Sequence, residues 1–218
     1  MKNSALKAAL LLLVFGAGAA HADLNLGIGL KAGTLGLGVE GRWSPLPYMD
    51  VRFGGNAYEY DETGSQAGVN YDALLNLDTY YATANFRFPL SPFRVTAGAY
   101  SNGNELELAS VDSATFNVGG VTFSSAEVGT LRSLTSFSGT SPYLGVGYDF
   151  SVFGKVGLNL DFGVLWQGEP EVTLTADGLL AGDPTFMAAL ENERLELEDE
   201  MSDFKAWPVV SLGFVYNF

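Results

Sequence analysis

Nine charged side chains recur at alternating positions within otherwise apolar stretches of this sequence, and they are its first candidates for chemistry. They share one face of each stretch with glycines and small polar residues, and they are Lys31, Glu40, Arg42, Asp50, Arg52, Arg87, Arg94, Asp149 and Asp161. Such a face could line a watery passage that selects charged solutes. It could equally form a packed polar interior, because buried charges need partners. Five bases against four acids suit pairing, so we expect a structural role for most of them.

A second group of candidates lies in an acidic segment at residues 183–203. Asp183 is a good N-cap residue and Pro184 suits a first turn, so the segment predicts a helix. One mostly apolar stripe at helical spacing comprises Phe186, Leu190, Arg194, Leu197 and Met201. The other faces carry Glu191, Glu193, Glu196, Glu198, Asp199 and Glu200. These acids could form a mouth that concentrates cations or basic solutes, or that binds divalent ions bridging lipopolysaccharide. They could equally belong to a solvated helix that its apolar stripe folds over the rim of the barrel.

The residues that usually carry proton transfer and nucleophilic catalysis are scarce. His21 is the only histidine and falls in a predicted leader, and the sequence contains no cysteine. A serine nucleophile would therefore lack its usual base. We expect no enzymatic activity, no catalytic residue, no cofactor and no metal ligand.

The first 22 residues have the layout of a secretory signal peptide. A start with Lys2 and Lys7 precedes a short apolar run, which ends at the small residues around Ala22. We predict cleavage after Ala22, with residues 23–218 as the mature protein. No later stretch holds the roughly 18 consecutive apolar residues of a transmembrane helix. The formal net charge of −14 argues against nucleic acid as a partner.

Alternation of apolar and polar residues with a period of two predicts eight strands after the leader. Short turns fall near residues 45, 90 and 152, and long connections fall near 70, 122 and 185, with polar loops expected over 61–77 and 109–137. This is typical of an all-β, eight-stranded antiparallel transmembrane β-barrel with short periplasmic turns and long extracellular loops. The helix lies in the last loop. Residues 24–44 could form two strands or one strand bent at Gly33.

The distribution of aromatic residues favours a membrane barrel over a soluble one. Near the short turns lie Trp43, Tyr48, Phe88, Phe93, Phe150, Phe153, Tyr216 and Phe218. Near the long connections lie Tyr58, Tyr60, Tyr80, Tyr100, Tyr143, Trp166 and Trp207. Two belts predict two membrane interfaces. In the last strand, Phe214, Tyr216 and Phe218 resemble the C-terminal signal that the outer-membrane assembly machinery reads.

Several segments in a fixed order carry a resemblance to a known family. They are Ser44-Pro45-Leu46-Pro47-Tyr48, Asn117-Val118-Gly119-Gly120-Val121-Thr122-Phe123, Ser141-Pro142-Tyr143-Leu144-Gly145-Val146-Gly147, Gln167-Gly168-Glu169-Pro170-Glu171-Val172-Thr173-Leu174 and Phe204-Lys205-Ala206-Trp207-Pro208-Val209. The set resembles the CarO-type outer-membrane channels, which are linked to ornithine and carbapenem uptake. The resemblance implies a monomeric eight-stranded barrel and passive uptake of small, often basic, amino acids.

Two functional hypotheses follow for a barrel in the outer membrane of a Gram-negative bacterium. The first is a narrow passive channel for small, preferably cationic solutes. The second is a non-conducting structural or surface-interaction barrel. The expected partners are outer-membrane lipid and lipopolysaccharide, the barrel-assembly machinery and small-molecule solutes.

Overall fold

The computed structural model describes residues 25–66, 69–111 and 114–218. The predicted signal peptide and its cleavage site lie outside the described residues. In chain order the strands and helices are β1 (Leu26–Gly33), β2 (Gly36–Leu46), β3 (Met49–Gln66), β4 (Val69–Arg87), β5 (Phe93–Val111), β6 (Thr115–Val118), β7 (Val121–Ser124), α1 (Ser125–Val128), β8 (Leu131–Phe153), β9 (Val156–Trp166), β10 (Glu171–Ala176), α2 (Pro184–Glu200), a short 3-10 helix (Met201–Lys205) and β11 (Ala206–Asn217). Within these ranges no helix is long and apolar enough to cross a membrane.

Eight of the strands close into an antiparallel barrel in the order β1, β2, β3, β4, β5, β8, β9 and β11, with β11 pairing back to β1. The predicted fold is therefore confirmed. Residues 24–44 hold two strands, because β1 and β2 pair with each other as far as Gly33 opposite Gly36. Gly36 has φ +94°, and a Cβ there would come within 2.6 Å of the Tyr58 side chain, so this turn requires glycine.

The barrel has one end with only short turns, at residues 47–48, 88–92 and 154–155, which we call the short-turn end. At the other end its wall is uneven. β1, β2, β9 and β11 contain 8 to 12 residues, whereas β3, β4, β5 and β8 contain 18 to 23. One side of the wall therefore rises well above the other.

The predicted polar loop over 61–77 is wrong, because most of it is strand. β3 and β4 stay paired through Asp61 opposite Leu74 and Gly64 opposite Tyr71. The side-chain pattern does not reveal this pairing, since polar side chains occupy both faces over most of this part of the hairpin. Backbone hydrogen bonds between the strands need no apolar alternation.

The outside of the barrel is apolar and the inside is polar, the reverse of a soluble barrel. On β11, Val210, Leu212, Phe214 and Tyr216 are about half exposed, while Ser211 between them is buried. The belt residues at the short-turn end are exposed in the same way. A continuous apolar surface of this kind is costly in water and suits hydrocarbon.

A small second core sits above the barrel and forms what we call the cap, comprising β6, β7, α1, β10 and α2. Its buried side chains are Phe116, Val118, Val128, Phe186, Ala189 and Leu190. The predicted loop over 109–137 is therefore also wrong, since it contains β6, β7, α1 and the start of β8. β10 pairs with the first residues of β8, which fixes the cap to the tall side of the wall.

Candidate functional site

The nine predicted charges all lie inside the barrel, where they form one network that we call the charged layer. Arg52 is its centre and is 2% exposed. Its Nε donates to Asp50 at 2.9 Å, its Nη1 to Glu40 at 3.3 Å and its Nη2 to Asp149 at 3.4 Å. Three surrounding carboxylates offset the cost of removing this guanidinium from water.

Arg94 is a second centre of the charged layer, and the neighbouring residues leave space for its side chain. It donates to Asp149 and Asn85, each at 3.0 Å, and to Asp161 on β9. A Cβ at Gly147 would lie 2.4 Å from the Arg94 guanidinium carbon, so the glycine leaves the room that this side chain occupies.

The remaining bases lie at the edges of the charged layer. Lys31 reaches Glu40 at 3.8 Å and lies over the Tyr81 ring at 4.7 Å from its centroid. Arg87 contacts both Asp50 and Asp149. Arg42 reaches Asp50 only at 3.5 Å.

Three tyrosines fill the barrel above the charged layer, and the sequence analysis missed this role. Tyr81 stacks on Tyr100 at a centroid distance of 4.9 Å, and Tyr143 lies 5.2 Å from Tyr100. Together with Leu165 and Val209 they form a buried cluster that we call the tyrosine layer. The Tyr81 hydroxyl donates to Glu40 at 2.8 Å, which joins the two layers.

The prediction is therefore wrong for three residues that it assigned to the aromatic belt near the long connections. Tyr100, Tyr143 and Trp207 point inward, whereas Tyr58, Tyr80 and others of that set are exposed. The strand period carried the signal, since Tyr100 shares the face of Arg94 and Tyr143 shares that of Asp149. The prediction instead assigned these residues to the belt because they lie near the long connections in the sequence.

The two layers leave little free volume in the middle of the barrel. The cavity between them measures about 10 Å³ and is lined by residues of both layers, including Arg52, Arg94 and Tyr100. This volume holds about one water molecule. Larger cavities of about 240 and 340 Å³ lie at the short-turn end.

The predicted acidic helix is present as α2, and Asp183 caps it by accepting from the Thr185 and Phe186 amides. Two of its six acids are anchors for the cap. Glu193 accepts from the Gly119 amide at 2.8 Å, and Glu198 accepts from the Val172 amide at 3.2 Å. The acids that are exposed are Glu191, Glu196, Asp199 and Glu200.

Arg194 lies between Glu191 and Glu198 on α2 and donates to both. Its hydrogen bond holds the pKa of the Glu191 carboxyl below its usual value. Part of the acidic charge on the helix is thus neutralised locally. The acidic mouth remains a prediction, and only the exposed acids of the helix support it.

Replacing Glu193 by alanine is expected to loosen the cap, because the Gly119 amide would lose its acceptor. This contact at a partly exposed site should contribute about 1 kcal/mol to cap stability. Limited proteolysis of the cap should then run about fivefold faster. Glu196→Ala, on the exposed face of the same helix, should leave the cleavage rate unchanged. Equal rates in the two variants would contradict the anchoring role.

The proposed assembly-signal residues Phe214, Tyr216 and Phe218 all face outward and are 44 to 58% exposed. The Phe218 amide donates to the Leu26 carbonyl at 2.9 Å, so the chain remains paired to its last residue. In the part of the chain that the structure describes, no three His, Cys, Asp or Glu side chains are placed to hold a metal ion.

Comparison with known proteins places the fold among outer-membrane barrels. No protein-family model and no curated protein matches the sequence. The structure is similar to that of Acinetobacter baumannii CarO2, with a TM-score of 0.62 and 20% identity over 89% of this chain and 99% of that one. It is also similar to A. baumannii CarO, with a TM-score of 0.59 and 23% identity over 89% and 98%. The chain thus has a CarO-like outer-membrane barrel fold.

Proposed function

We propose that this protein is an outer-membrane barrel with a closed interior, which serves a structural or surface-interaction role and does not act as an open pore. The observation that carries the proposal is the filled centre, where the charged and tyrosine layers leave about 10 Å³. A passing amino acid displaces several water molecules, whereas this space holds about one.

The charges inside the barrel also argue against a preference for cations. The charged layer contains five bases, Lys31, Arg42, Arg52, Arg87 and Arg94. It contains four acids, Glu40, Asp50, Asp149 and Asp161. A cation entering this layer would meet an excess of positive charge in a low-dielectric setting, which opposes its entry.

Planar-bilayer recording of the refolded protein is expected to show no stepwise conductance above the lipid background. Liposomes containing it should swell in lysine, ornithine or glutamate no faster than protein-free liposomes. Heat-modifiable migration on gels would show that the barrel is folded, and a wide porin in parallel liposomes would validate the assay. Discrete conductance steps, or swelling in any of the three solutes, would overturn the closed-interior proposal.

A passive channel for small cationic solutes is the second candidate function. It is supported by the continuous polar lining of the barrel and by the resemblance of the sequence to CarO-type channels. It requires the tyrosine layer and the pairs made by Arg52 and Arg94 to rearrange together. Swelling in lysine and ornithine but not in glutamate would support this candidate over the closed barrel.

The proposed location is the outer membrane, with the apolar belts in lipid and the cap outside the cell. The apolar outer face and the fold support it. Lipid and lipopolysaccharide then contact the barrel wall, and the assembly machinery reads the last strand. Recovery in a soluble periplasmic fraction after cell fractionation would contradict this location.

A further inference from the structure

Two cavities lie side by side at the short-turn end of the barrel. One measures about 240 Å³ and the other about 340 Å³. Arg42, Arg87 and Asn217 line both cavities. Together the two cavities have the size of a small-ligand site.

Among the described residues, Arg42 and Lys31 are the two bases of the charged layer that have a single ion pair each. The Arg42 side chain is nine-tenths buried, and its one ion pair is the 3.5 Å contact with Asp50. Among the described residues its Nε has no hydrogen-bond partner although it is buried. A buried guanidinium donor without an acceptor is costly, which points to an acceptor that binds there.

Asp50 cannot supply the missing negative charge, because it already serves two other guanidinium groups. Its Oδ1 accepts from Arg52 at 2.9 Å and from Asn85 at 3.0 Å, and its Oδ2 also contacts Arg87. Asp149, which lines the smaller cavity, is held by Arg52, Arg87 and Arg94. Neither carboxylate is therefore free to neutralise Arg42 fully.

We propose that the short-turn end binds a small anion, with a carboxylate or phosphate group held by Arg42 and assisted by Arg87. A guanidinium offers several donors in a planar fork that matches these two groups. Asn25, Ser44 and Asn217 line the same space and can orient the rest of the ligand. This site does not depend on whether the barrel conducts.

Binding is measured by calorimetric titration of refolded protein in non-ionic micelles at low ionic strength, with inorganic phosphate and with acetate as probes. Saturable binding at one site is expected, and it should weaken as salt is added. Arg42→Gln should weaken binding about tenfold or more, since one charge-assisted pair is lost. Arg42→Lys, which keeps the charge but not the fork, should retain part of the affinity.

Lys155→Gln is the matched control, because it removes a positive charge at the same end of the barrel without lining either cavity. It should change the affinity less than twofold. Ethylammonium should show no saturable binding. Unchanged heat-modifiable migration would show that each variant is folded.

The rim of the larger cavity includes the exposed residues Leu46 and Phe218, so the anionic group could also belong to a lipid headgroup. A second titration adds short-chain phosphatidylglycerol to the micelles, with phosphatidylcholine as the comparison. If phosphate binding is lost on addition of phosphatidylglycerol but not of phosphatidylcholine, the anionic group that the site binds belongs to a lipid headgroup. If phosphate binding is undiminished in both, the site binds a free solute. Absence of saturable binding of phosphate, acetate and phosphatidylglycerol, or equal losses in Arg42→Gln and Lys155→Gln, would overturn the proposal.

Discussion

Replacing Arg94 by methionine is expected to lower the free energy of unfolding of the barrel by about 3–5 kcal/mol. Arg94 is 1% exposed and serves both Asp149 and Asp161. The substitution keeps an apolar stem of similar length, but it leaves Asp161 without its guanidinium and removes one of the three that hold Asp149. An uncompensated buried charge accounts for most of the loss. Denaturant unfolding in lipid vesicles, followed by tryptophan fluorescence, measures it.

Two further variants separate this effect from a general effect of arginine loss. Arg132→Met removes an exposed partner of Glu107 at 3.6 Å and should cost less than about 1 kcal/mol. Adding Asp161→Asn to Arg94→Met should recover part of the stability, because it removes the carboxylate that lost its guanidinium. A loss in Arg94→Met no larger than that in Arg132→Met would show that the charged layer is not what stabilises the barrel.

Replacing Phe186 by alanine is expected to open the cap while leaving the barrel folded. Phe186 is fully buried against Val118 and Val128, and its ring meets Phe123 edge-on at 5.0 Å. Truncation of such a side chain costs about 3–5 kcal/mol. The cap core shares no buried residue with the tyrosine layer, so the loss should remain local.

Limited proteolysis measures this effect, with cap cleavage expected to be about a hundredfold faster or more. Met187→Ala is the matched control, since Met187 is the next residue on the helix and is 48% exposed. It should change the rate little. If Phe186→Ala lowered barrel unfolding stability as much as cap resistance, the cap would not be a separate cooperative unit.

The sequence by itself determined which residues face lipid and which face inward. Strand periodicity is local, so the side of each residue follows from its neighbours two positions away. It placed all nine charges inside and all three assembly-signal residues outside. The start of α2 was equally local, because Asp183 caps amides only two and three residues ahead.

Tertiary structure decided which residues contact each other and how long the strands are. Arg94 and its partner Asp161 lie 67 residues apart, and Glu193 and the amide it anchors lie 74 apart, so no local pattern could pair them. The strands over residues 61–77 form because backbone groups pair across a hairpin, which side-chain polarity does not show. Tyr100 and Tyr143 face inward by their strand period, but only closure of the barrel brings their rings into one layer. Whether the interior is filled or open depends on that convergence of distant strands, and sequence periodicity carries no information about it.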